Sequence, residues 1–249
     1  MSKILYAGDS SLNGAASYLA GVMTHYGLRF DYVPSGKRLS DTLAHGEHGL
    51  YILSDYPSAN LRAADGRKIL ESVRAGAGLL MIGGWESFHG LGGDWDRCAL
   101  AAALPVRISS TDDRVNSSEP VVVQKVSEHP IVRGLPFRAP PHVGGYNRLR
   151  AKAGATTILM GQHLVVKAGA DGSLLTAAGR SAPMLVVGQF GRGRTAAFAS
   201  DAAPHWVGGL VDWGAKRISA QAKGGGSVEV GNHYAELFAR LVRWTMGEL

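Results

Sequence analysis

One segment of the chain combines a sharp turn with side chains that are able to move protons. The apolar run Leu-Leu-Met-Ile ends abruptly in Gly83 and Gly84, and Trp85, Glu86 and Ser87 follow. Many hydrolases expose a nucleophile on such a strand-to-helix turn above an α/β sheet. The segment contains no cysteine and does not match G-x-S-x-G, so Glu86 is interpreted as a general acid or base, or as a hydrogen-bond acceptor for a ligand. A plain helix-start acid is the alternative interpretation.

A second polar and aromatic group lies near the end of the chain. It combines Asp201, His205 and Asp212 with Trp206 and Trp213. An aspartate can orient an imidazole, and indole rings often line pockets, so this group predicts a ligand pocket. The alternative is a turn-capping aspartate with tryptophans that fill the core.

Two earlier loops add polar side chains. Asp9 and Ser10 follow the first predicted strand, and Asp55 follows the third. Ligands of parallel α/β sheets bind outside the carboxyl ends of the strands, so these residues are predicted to bind the ligand together with Gly84, Trp85 and Ser87. Neither G-x-G-x-x-G nor a P-loop is present, and we expect no nucleotide cofactor.

A metal site is the rival interpretation of the same residues. Asp9, Asp55, His89, Asp201 and His205 carry ligand atoms that would suit a cation at one sheet edge. No H-E-x-x-H or comparable spacing supports a metal centre, and we predict no metal.

The remaining candidate nucleophile is the only cysteine. Cys98 stands among alanine and leucine in a predicted helix beyond the glycine turn. A single cysteine in such surroundings is usually a small buried hydrophobic residue. One cysteine also excludes a disulfide framework and a cysteine-rich metal site.

The elements that must position these residues alternate between strands and helices in the first hundred residues. That alternation predicts a doubly wound, mostly parallel α/β sheet. The predicted strands span 3–7, 29–33, 50–54 and 79–82, and the predicted helices span 16–26 and 60–74. Asn60 is the expected N-cap of the second helix.

After Pro105 the pattern changes to strands without intervening helices. We predict an antiparallel extension of the same sheet, with turns at 171–172 and 191–194. Residues 212–232 are predicted to form a long glycine-rich loop, and an amphipathic helix over 233–246 closes the chain. The predicted extension strands lie in 119–126, 156–166 and 183–200, and we expect one domain over 1–249.

Charge and hydropathy limit the partners. The net charge is +6, from 26 Lys plus Arg against 20 Asp plus Glu, and the basic residues are scattered. A nucleic-acid surface usually shows a clustered basic stripe, so we expect no nucleic-acid partner. No apolar run is long enough to cross a bilayer and no signal peptide is visible, so we expect a cytoplasmic protein without a membrane partner.

Four segments together resemble a known family. They are residues 78–90 (GLLMIGGWESFHG), 112–116 (DDRVN), 129–137 (HPIVRGLPF) and 199–206 (ASDAAPHW). They look like the glutamine amidotransferase-like proteins, uncharacterised relatives of the class I glutamine amidotransferases. The resemblance implies a flavodoxin-like fold. Class I enzymes hydrolyse glutamine with a cysteine on the strand-turn-helix corner, a late histidine and a glutamate; here the corner has no cysteine and His205 lacks the usual His-Pro-Glu sequence.

The prediction for function follows from this mismatch. We expect an amidotransferase-like protein that binds a small polar molecule and does not use cysteine-dependent glutaminase chemistry. If the protein is an enzyme, Glu86 and His205 are the predicted acid and base and Asp201 the orienting carboxylate, with Trp85, Trp206 and Trp213 as pocket walls. Two alternatives stay open. One is a non-catalytic binding or homo-oligomeric assembly module that uses its tryptophans and glycine-rich loop. The other is a hydrolase that uses Ser87 or Glu86 with His205.

Overall fold

A computed structural model describes residues 3–249 and shows one large mixed sheet with helices packed against it. The strands of the described residues are β1 (Lys3–Gly8), β2 (Phe30–Val33), β3 (His48–Ser54), β4 (Gly78–Ile82), β5 (Val106–Arg107), β6 (Arg114–Lys125), β7 (His142–Asn147), β8 (Arg150–Ala151), β9 (Thr156–Ala168), β10 (Leu174–Phe190), β11 (Gly193–Phe198), β12 (Arg217–Gln221) and β13 (Ser227–Gly231).

Five α-helices and several 3₁₀ turns connect the strands in the described part of the chain. The α-helices are α1 (Ala16–His25), α2 (Ser40–Ala44), α3 (Ala63–Ala75), α4 (Pro204–Val207) and α5 (Asn232–Thr245). The 3₁₀ turns span Ser58–Asn60, Trp95–Arg97, Ala99–Ala102, Pro130–Val132 and Gly208–Leu210. None of the described helices is long and apolar enough to cross a membrane.

The large sheet has nine strands in the order β2-β1-β3-β4-β11-β10-β9-β6-β7. Strands β2, β1, β3, β4 and β11 run parallel to one another, and the strands from β10 to β7 pair antiparallel. The predicted flavodoxin-like sheet with an antiparallel extension is therefore confirmed. The predicted turn at 191–194 is confirmed as well, because it joins β10 to β11.

The central strands are apolar because they are covered on both sides. Every residue of β4 is buried, and neighbouring side chains on a strand point to opposite faces, so both faces of β4 are packed. On one face α5 contributes Phe238, whose ring lies 5.2 Å from that of Phe198 in β11. The resulting core holds the carboxyl ends of the parallel strands at fixed positions.

Three predicted elements differ from the structure. No α-helix follows β4, since only 3₁₀ turns at Trp95–Arg97 and Ala99–Ala102 are present before β5. The glycine-rich stretch predicted as a loop contains the β12–β13 hairpin, which packs on α1 where Gly21 gives it room. The prediction that Asn60 caps a long helix is wrong, because α3 begins three residues later and the Asn60 amide donates instead to the Ser35 carbonyl.

Candidate functional site

The parallel strands end at a common level, and this brings distant loops together. Gly8 of β1 pairs with Ser54 of β3, Ser54 pairs with Ile82 of β4, and Ile82 pairs with Phe198 of β11. The residues that follow these four positions therefore share one edge of the sheet. The rule that ligands bind outside the carboxyl ends of parallel strands applies to this edge.

Asp9 is the first carboxylate at the edge. It is buried, and Tyr6 donates a hydrogen bond from its hydroxyl to Asp9 Oδ2 at 2.9 Å. The Asp9 backbone N–H donates to the carbonyls of Ser54 and Asp55, both at 3.1 Å. Tyr32 donates to the Asp9 carbonyl at 3.1 Å. These contacts fix the loop after β1 against the loop after β3.

Asp55 is the second carboxylate and it holds the glycine turn. Its Oδ1 accepts the Glu86 N–H at 2.7 Å, and its own N–H donates to Ser87 Oγ at 3.0 Å. Asp9 and Asp55 both adopt left-handed backbone, with φ of 52° and 49°, a conformation in which aspartate is one of the better tolerated residues. The loop after β3 is thus tied to the loop after β4.

Asp201 and His205 form the third part of the site. Asp201 is buried; its Oδ1 accepts the Ala203 N–H at 2.8 Å, and its Oδ2 lies 3.3 Å from Nδ1 of His205. The His205 side chain is 66% exposed, so the imidazole joins the buried carboxylate to the solvent. The two residues are therefore in contact, and the role of Asp201 in orienting His205 stays a prediction.

Burial and mutual repulsion disfavour the charged forms of these acids. Burial raises the pKa of Asp55 to about 7, and the neighbouring Asp201 adds to the effect. Burial raises the pKa of Asp9 well above its usual range, with further contributions from the charges of Asp201 and Asp55. The hydrogen bond to Asp201 raises the pKa of His205, which favours the imidazolium form. Asp55 therefore titrates near neutral pH, a property typical of functional acids and bases.

Glu86 lies at the rim of the same edge. Its side chain is partly buried, and this burial raises the pKa of its carboxyl group. Its carbonyl accepts the indole N–H of Trp95 at 3.1 Å, which anchors the backbone of the turn. The Glu86 charge also raises the pKa of Asp55, so the two carboxylates are electrostatic neighbours.

The glycine turn after β4 has no room for a side chain at Gly84. The backbone there has φ of 156°, and a Cβ placed on it would overlap the carboxylate of Asp55. A Cβ on Gly83 would overlap the Ala199 carbonyl. The Ala199 carbonyl after β11 and the Asp55 carboxylate after β3 therefore fill the space that side chains on Gly83 and Gly84 would need.

A buried amide that the sequence did not single out supports this turn. Asn147, at the end of β7, accepts the Gly84 N–H at 2.9 Å and donates to the Gly84 carbonyl at 3.2 Å. The same amide donates to Asp113 Oδ1 at 2.7 Å, and Asp113 Oδ2 accepts the His89 N–H at 3.1 Å. The stretch 112–116 was part of the family resemblance, but it carried no expected role.

Ser87 is not placed as a nucleophile. It is buried, its hydroxyl donates to the Ile82 carbonyl at 2.6 Å, and it accepts the Asp55 N–H. These two bonds tie β4 to the loop after β3. The hydrolase alternative that uses Ser87 is corrected for this reason.

Two predicted pocket walls are core residues. Trp206 is buried against Gly145 and donates its indole N–H to Asn116 Oδ1 at 2.8 Å. Trp213 is buried, donates to the Ala139 carbonyl at 3.1 Å and lies 4.9 Å from the Phe137 ring. The expectation that these tryptophans line a pocket or form an exposed assembly surface is therefore wrong.

The other expected ligand-binding residues are exposed. Trp85 is 48% exposed, and the Arg114 guanidinium stacks over its ring at 4.6 Å from the centroid. Ser10 follows Asp9 and is exposed at the rim. Asp212 instead forms a surface ion pair with Arg217 at 2.8 Å. Its carboxylate has no described bond to Asp9, Asp55 or Asp201.

Neither Cys98 nor His89 has a described bond to Asp9, Asp55 or Asp201. Cys98 is partly buried between two 3₁₀ turns, and burial raises the pKa of its thiol, whereas a reactive thiol needs a lowered one. His89 contacts Asp96 Oδ1 through Nδ1 at 2.6 Å and faces Asp94 Oδ1 through Nε2 at 3.8 Å. Each ring nitrogen of His89 thus faces a different carboxylate. The ring does not join the aspartates and His205 that the metal-site interpretation grouped with it.

A family model described as "Putative glutamine amidotransferase" matches residues 54–218. The chain belongs to this family. The matched range begins beside Asp55 and includes the glycine turn, Asp201 and His205, whereas Asp9 lies before it. No functionally curated protein matches the chain.

Solved structures show that the fold of this amidotransferase-like chain recurs at full length. "Cytoplasmic Protein STM3548" from Salmonella typhimurium is 24% identical with a TM-score of 0.71, and the match covers 98% of each chain. "Cytoplasmic Protein STM1381" from Salmonella typhimurium LT2 is 22% identical with a TM-score of 0.72, covering 98% of this chain and 99% of that one. A β-galactosidase from Rahnella sp. R3 matches 98% of this chain with 31% of its own, at 12% identity and a TM-score of 0.54.

Proposed function

We propose that this glutamine amidotransferase-like protein binds a small polar ligand at the carboxyl ends of β1, β3, β4 and β11, and that it does not hydrolyse glutamine through a thiol. The observation that carries the proposal is the Asp55 carboxylate, which fills the space that a side chain on Gly84 would need. A cytoplasmic location is part of the proposal, and the two "cytoplasmic" Salmonella relatives support it.

The chemistry of the edge defines what the ligand must offer. Asp9, Asp55 and Asp201 present acceptor oxygens, and His205 reaches solvent beside them. A ligand group that donates hydrogen bonds, such as an amide or an amine, would satisfy carboxylates that otherwise repel one another. Trp85 and Glu86 at the rim would contact this ligand on the side of β4.

Catalysis at this edge would use His205 and Glu86. Asp201 orients the imidazole and raises the pKa of His205, so His205 would hold its proton as an imidazolium that Asp201 stabilises, and it would donate that proton to the ligand. Glu86, with its own raised pKa, would be the second acid or base. A site that binds the same ligand without turnover would use the same residues.

Two measurements test the proposal. Ammonia release from L-glutamine should stay at the background rate in the wild-type protein and in Cys98→Ser alike, because no thiol stands at the corner. A rate well above background that Cys98→Ser abolishes would overturn the thiol-free part of the proposal.

The ligand part is tested by a thermal-shift screen of small amides and amines with the purified protein. A compound that raises the melting temperature should lose most of its effect in Asp201→Asn, His205→Ala and Glu86→Ala. The exposed residues His25 and Glu71 provide matched controls, and His25→Ala and Glu71→Ala should keep the shift. Equal shifts in all five variants would place the binding site elsewhere.

A further inference from the structure

A ribbon of two strands extends past the rest of the sheet. Strand β6 pairs with β9 only as far as His163, and β11 pairs with β10 only from Leu185 onwards. Beyond these residues β9 and β10 pair, among the described strands, only with each other, from Leu164↔Ala178 to Ala168↔Leu174. We call residues 164–178 the arm.

The arm is a formed hairpin with a bonded tip. The Gly169 N–H donates to the Ser173 carbonyl at 2.7 Å, and the Gly172 N–H donates to the Gly169 carbonyl at 3.0 Å. Asp171 Oδ1 accepts both the N–H and the hydroxyl of Ser173, at 3.0 and 2.6 Å. The turn predicted at 171–172 is thereby confirmed. The arm therefore presents its strand edges and faces in a defined arrangement.

One face of the arm carries no charge. Paired residues of antiparallel strands share a face, so Leu164 and Ala178, Val166 and Thr176, and Ala168 and Leu174 lie on the same side. Leu174 is 74% exposed and Val166 is 44% exposed. The opposite face adds Leu175, which is 59% exposed, and Lys167 is the single charged residue of the paired segments.

Both strand edges of the arm are open. Within the described residues, no strand pairs with β9 beyond His163 or with β10 from Leu174 to Ala182 on the side away from β9. A two-stranded ribbon in water is at best marginally stable on its own, and proteins usually protect such edges with charges or prolines. The paired segments 164–168 and 174–178 carry one charge and no proline, so this part of the edges lacks that protection, and Arg180 is the one charge on the rest of the open β10 edge.

We propose that the arm is a self-association surface, and that its occupant is the arm of a second copy of this chain. An open strand edge is matched by another strand edge, and two identical edges match each other about a two-fold axis. A polyanion is a poor occupant, because the paired segments offer only Lys167.

Charge complementarity favours antiparallel self-pairing of the β10 edges. Asp171 stands at the tip of the arm and Arg180 stands at its base, at opposite ends of the same exposed stretch. An antiparallel arrangement aligns the tip of one copy with the base of the other, so Asp171 of each copy lies near Arg180 of the other. Parallel pairing would instead place like charges side by side.

The experiment measures mass in solution and its dependence on the arm. The wild-type chain, analysed by sedimentation velocity between 1 and about 100 µM, should form a species of at least twice the 26.2 kDa chain mass. In Val166→Glu/Leu174→Glu the dissociation constant should rise at least about tenfold per apolar side chain replaced. Leu91→Glu is the matched control, because Leu91 is 63% exposed outside the arm, and it should keep the wild-type mass.

Hydrogen exchange on the unmodified protein provides the second readout. Amides of residues 174–182 should be protected at high protein concentration and exchange at least about tenfold faster on dilution, while β4 amides stay protected at both. The proposal is overturned by a wild-type chain that is monomeric throughout, or by an oligomer whose mass survives the double variant. A monomer that sediments with phosphatidylcholine vesicles would assign the tip to a lipid surface and would overturn it too.

Discussion

At the scale of single residues, the site is defined by one contact between Gly84 and Asp55. The absence of a side chain at Gly84 lets the carboxylate of Asp55 approach the turn, where it accepts the Glu86 N–H. The carboxylate of Asp55, from the loop after β3, therefore occupies the space beside the turn that a side chain on Gly84 would fill. Two predictions follow from this contact.

Gly84→Ala should strongly destabilise the protein. The new Cβ would overlap Asp55, and either the turn or the acid must move, at a cost of about 3 kcal/mol or more in the free energy of unfolding. Gly36→Ala is the control, because a Cβ there meets nothing within 4 Å and the backbone needs no positive φ. Urea unfolding of both variants measures the difference, and similar midpoints would contradict the packing described for Gly84.

Asp55→Asn should stabilise the protein at alkaline pH and have little effect at acid pH. The folded-state pKa of Asp55 is raised to about 7, so the wild type loses stability as the pH rises from about 4 through 7 and the buried group ionises. An amide keeps the acceptor for Glu86 but carries no charge. The gain at pH 8 should be on the order of 2–4 kcal/mol, and it should nearly vanish at pH 4.

Thermal unfolding at the two pH values checks this prediction, with Glu71→Gln as an exposed control. His205 acts in the same direction, because its raised pKa also gives stability that is lost as the pH rises. A gain that is equal at pH 4 and pH 8 would show that Asp55 does not titrate as described.

Some of these residues were predictable from sequence and others were not. Asp9, Asp55 and Asp201 each follow an apolar strand, and the strand-end rule brings them to one edge without any knowledge of packing. Trp206 and Trp213 were misplaced, because closeness in sequence does not tell which side of a loop faces the core. Their indole N–H groups are satisfied by Asn116 and Ala139, which are far away along the chain.

At the scale of elements, the amide of Asn147 links the parallel and antiparallel halves of the sheet. It belongs to β7 at the far edge of the strand order, yet it bonds both the N–H and the carbonyl of Gly84 after β4. It also supplies a donor to the buried carboxylate of Asp113. The antiparallel extension therefore holds the glycine turn in position.

Asn147→Ala should cost about 2–4 kcal/mol, because it leaves Asp113 and both backbone groups of Gly84 buried without their partner. The cost should shrink at acid pH. Burial already raises the pKa of Asp113, and a protonated carboxyl group tolerates the loss of a donor better. Gln189→Ala, which removes an amide bonded to Gly191 in an exposed turn, is the control and should change stability by less than about 0.5 kcal/mol.

Chemical unfolding at pH 5 and pH 8 measures both effects for these two variants. An Asn147→Ala variant as stable as the control would mean that ordered water replaces the amide, and the link between the two halves of the sheet would then have little energetic weight.

Element prediction failed where local chemistry is ambiguous. The apolar run before Gly83 predicted both a strand and a following helix, but the structure holds the chain after the turn with tertiary bonds, including that from the Trp95 indole to the Tyr56 carbonyl. The β12–β13 hairpin was missed because glycine and polar residues dominate residues 212–232. The apolar side chains that its two strands bury are Ala220, Val228 and Val230.

At the scale of the whole molecule, the sheet divides into a parallel half that supplies the acids and an antiparallel half that supplies support and the arm. Both Salmonella relatives share the fold over nearly their whole length. The sequence predicted this division from the loss of intervening helices after Pro105. It did not predict the arm, since an exposed strand and a buried strand have similar apolar patterns.

The arm should be removable without unfolding the rest of the chain. Replacing residues 165–177 by Asn-Gly joins Leu164 to Ala178, which already face each other across the ribbon. We expect the melting temperature of the dilute protein to change by less than about 4 °C, roughly the effect of 1–2 kcal/mol in a chain of this size. Circular dichroism melts measure this, and loss of cooperative unfolding would show that the arm is integral to the core.

The contact between Gly84 and Asp55 also limits how this turn can be redesigned. A side chain added at Gly84 alone collides with the acid, and trimming the acid alone removes the acceptor of the Glu86 N–H. The two positions are therefore coupled, and the effects of changing them on stability should not add. An engineer who wants a new side chain on this turn must redesign both loops at once.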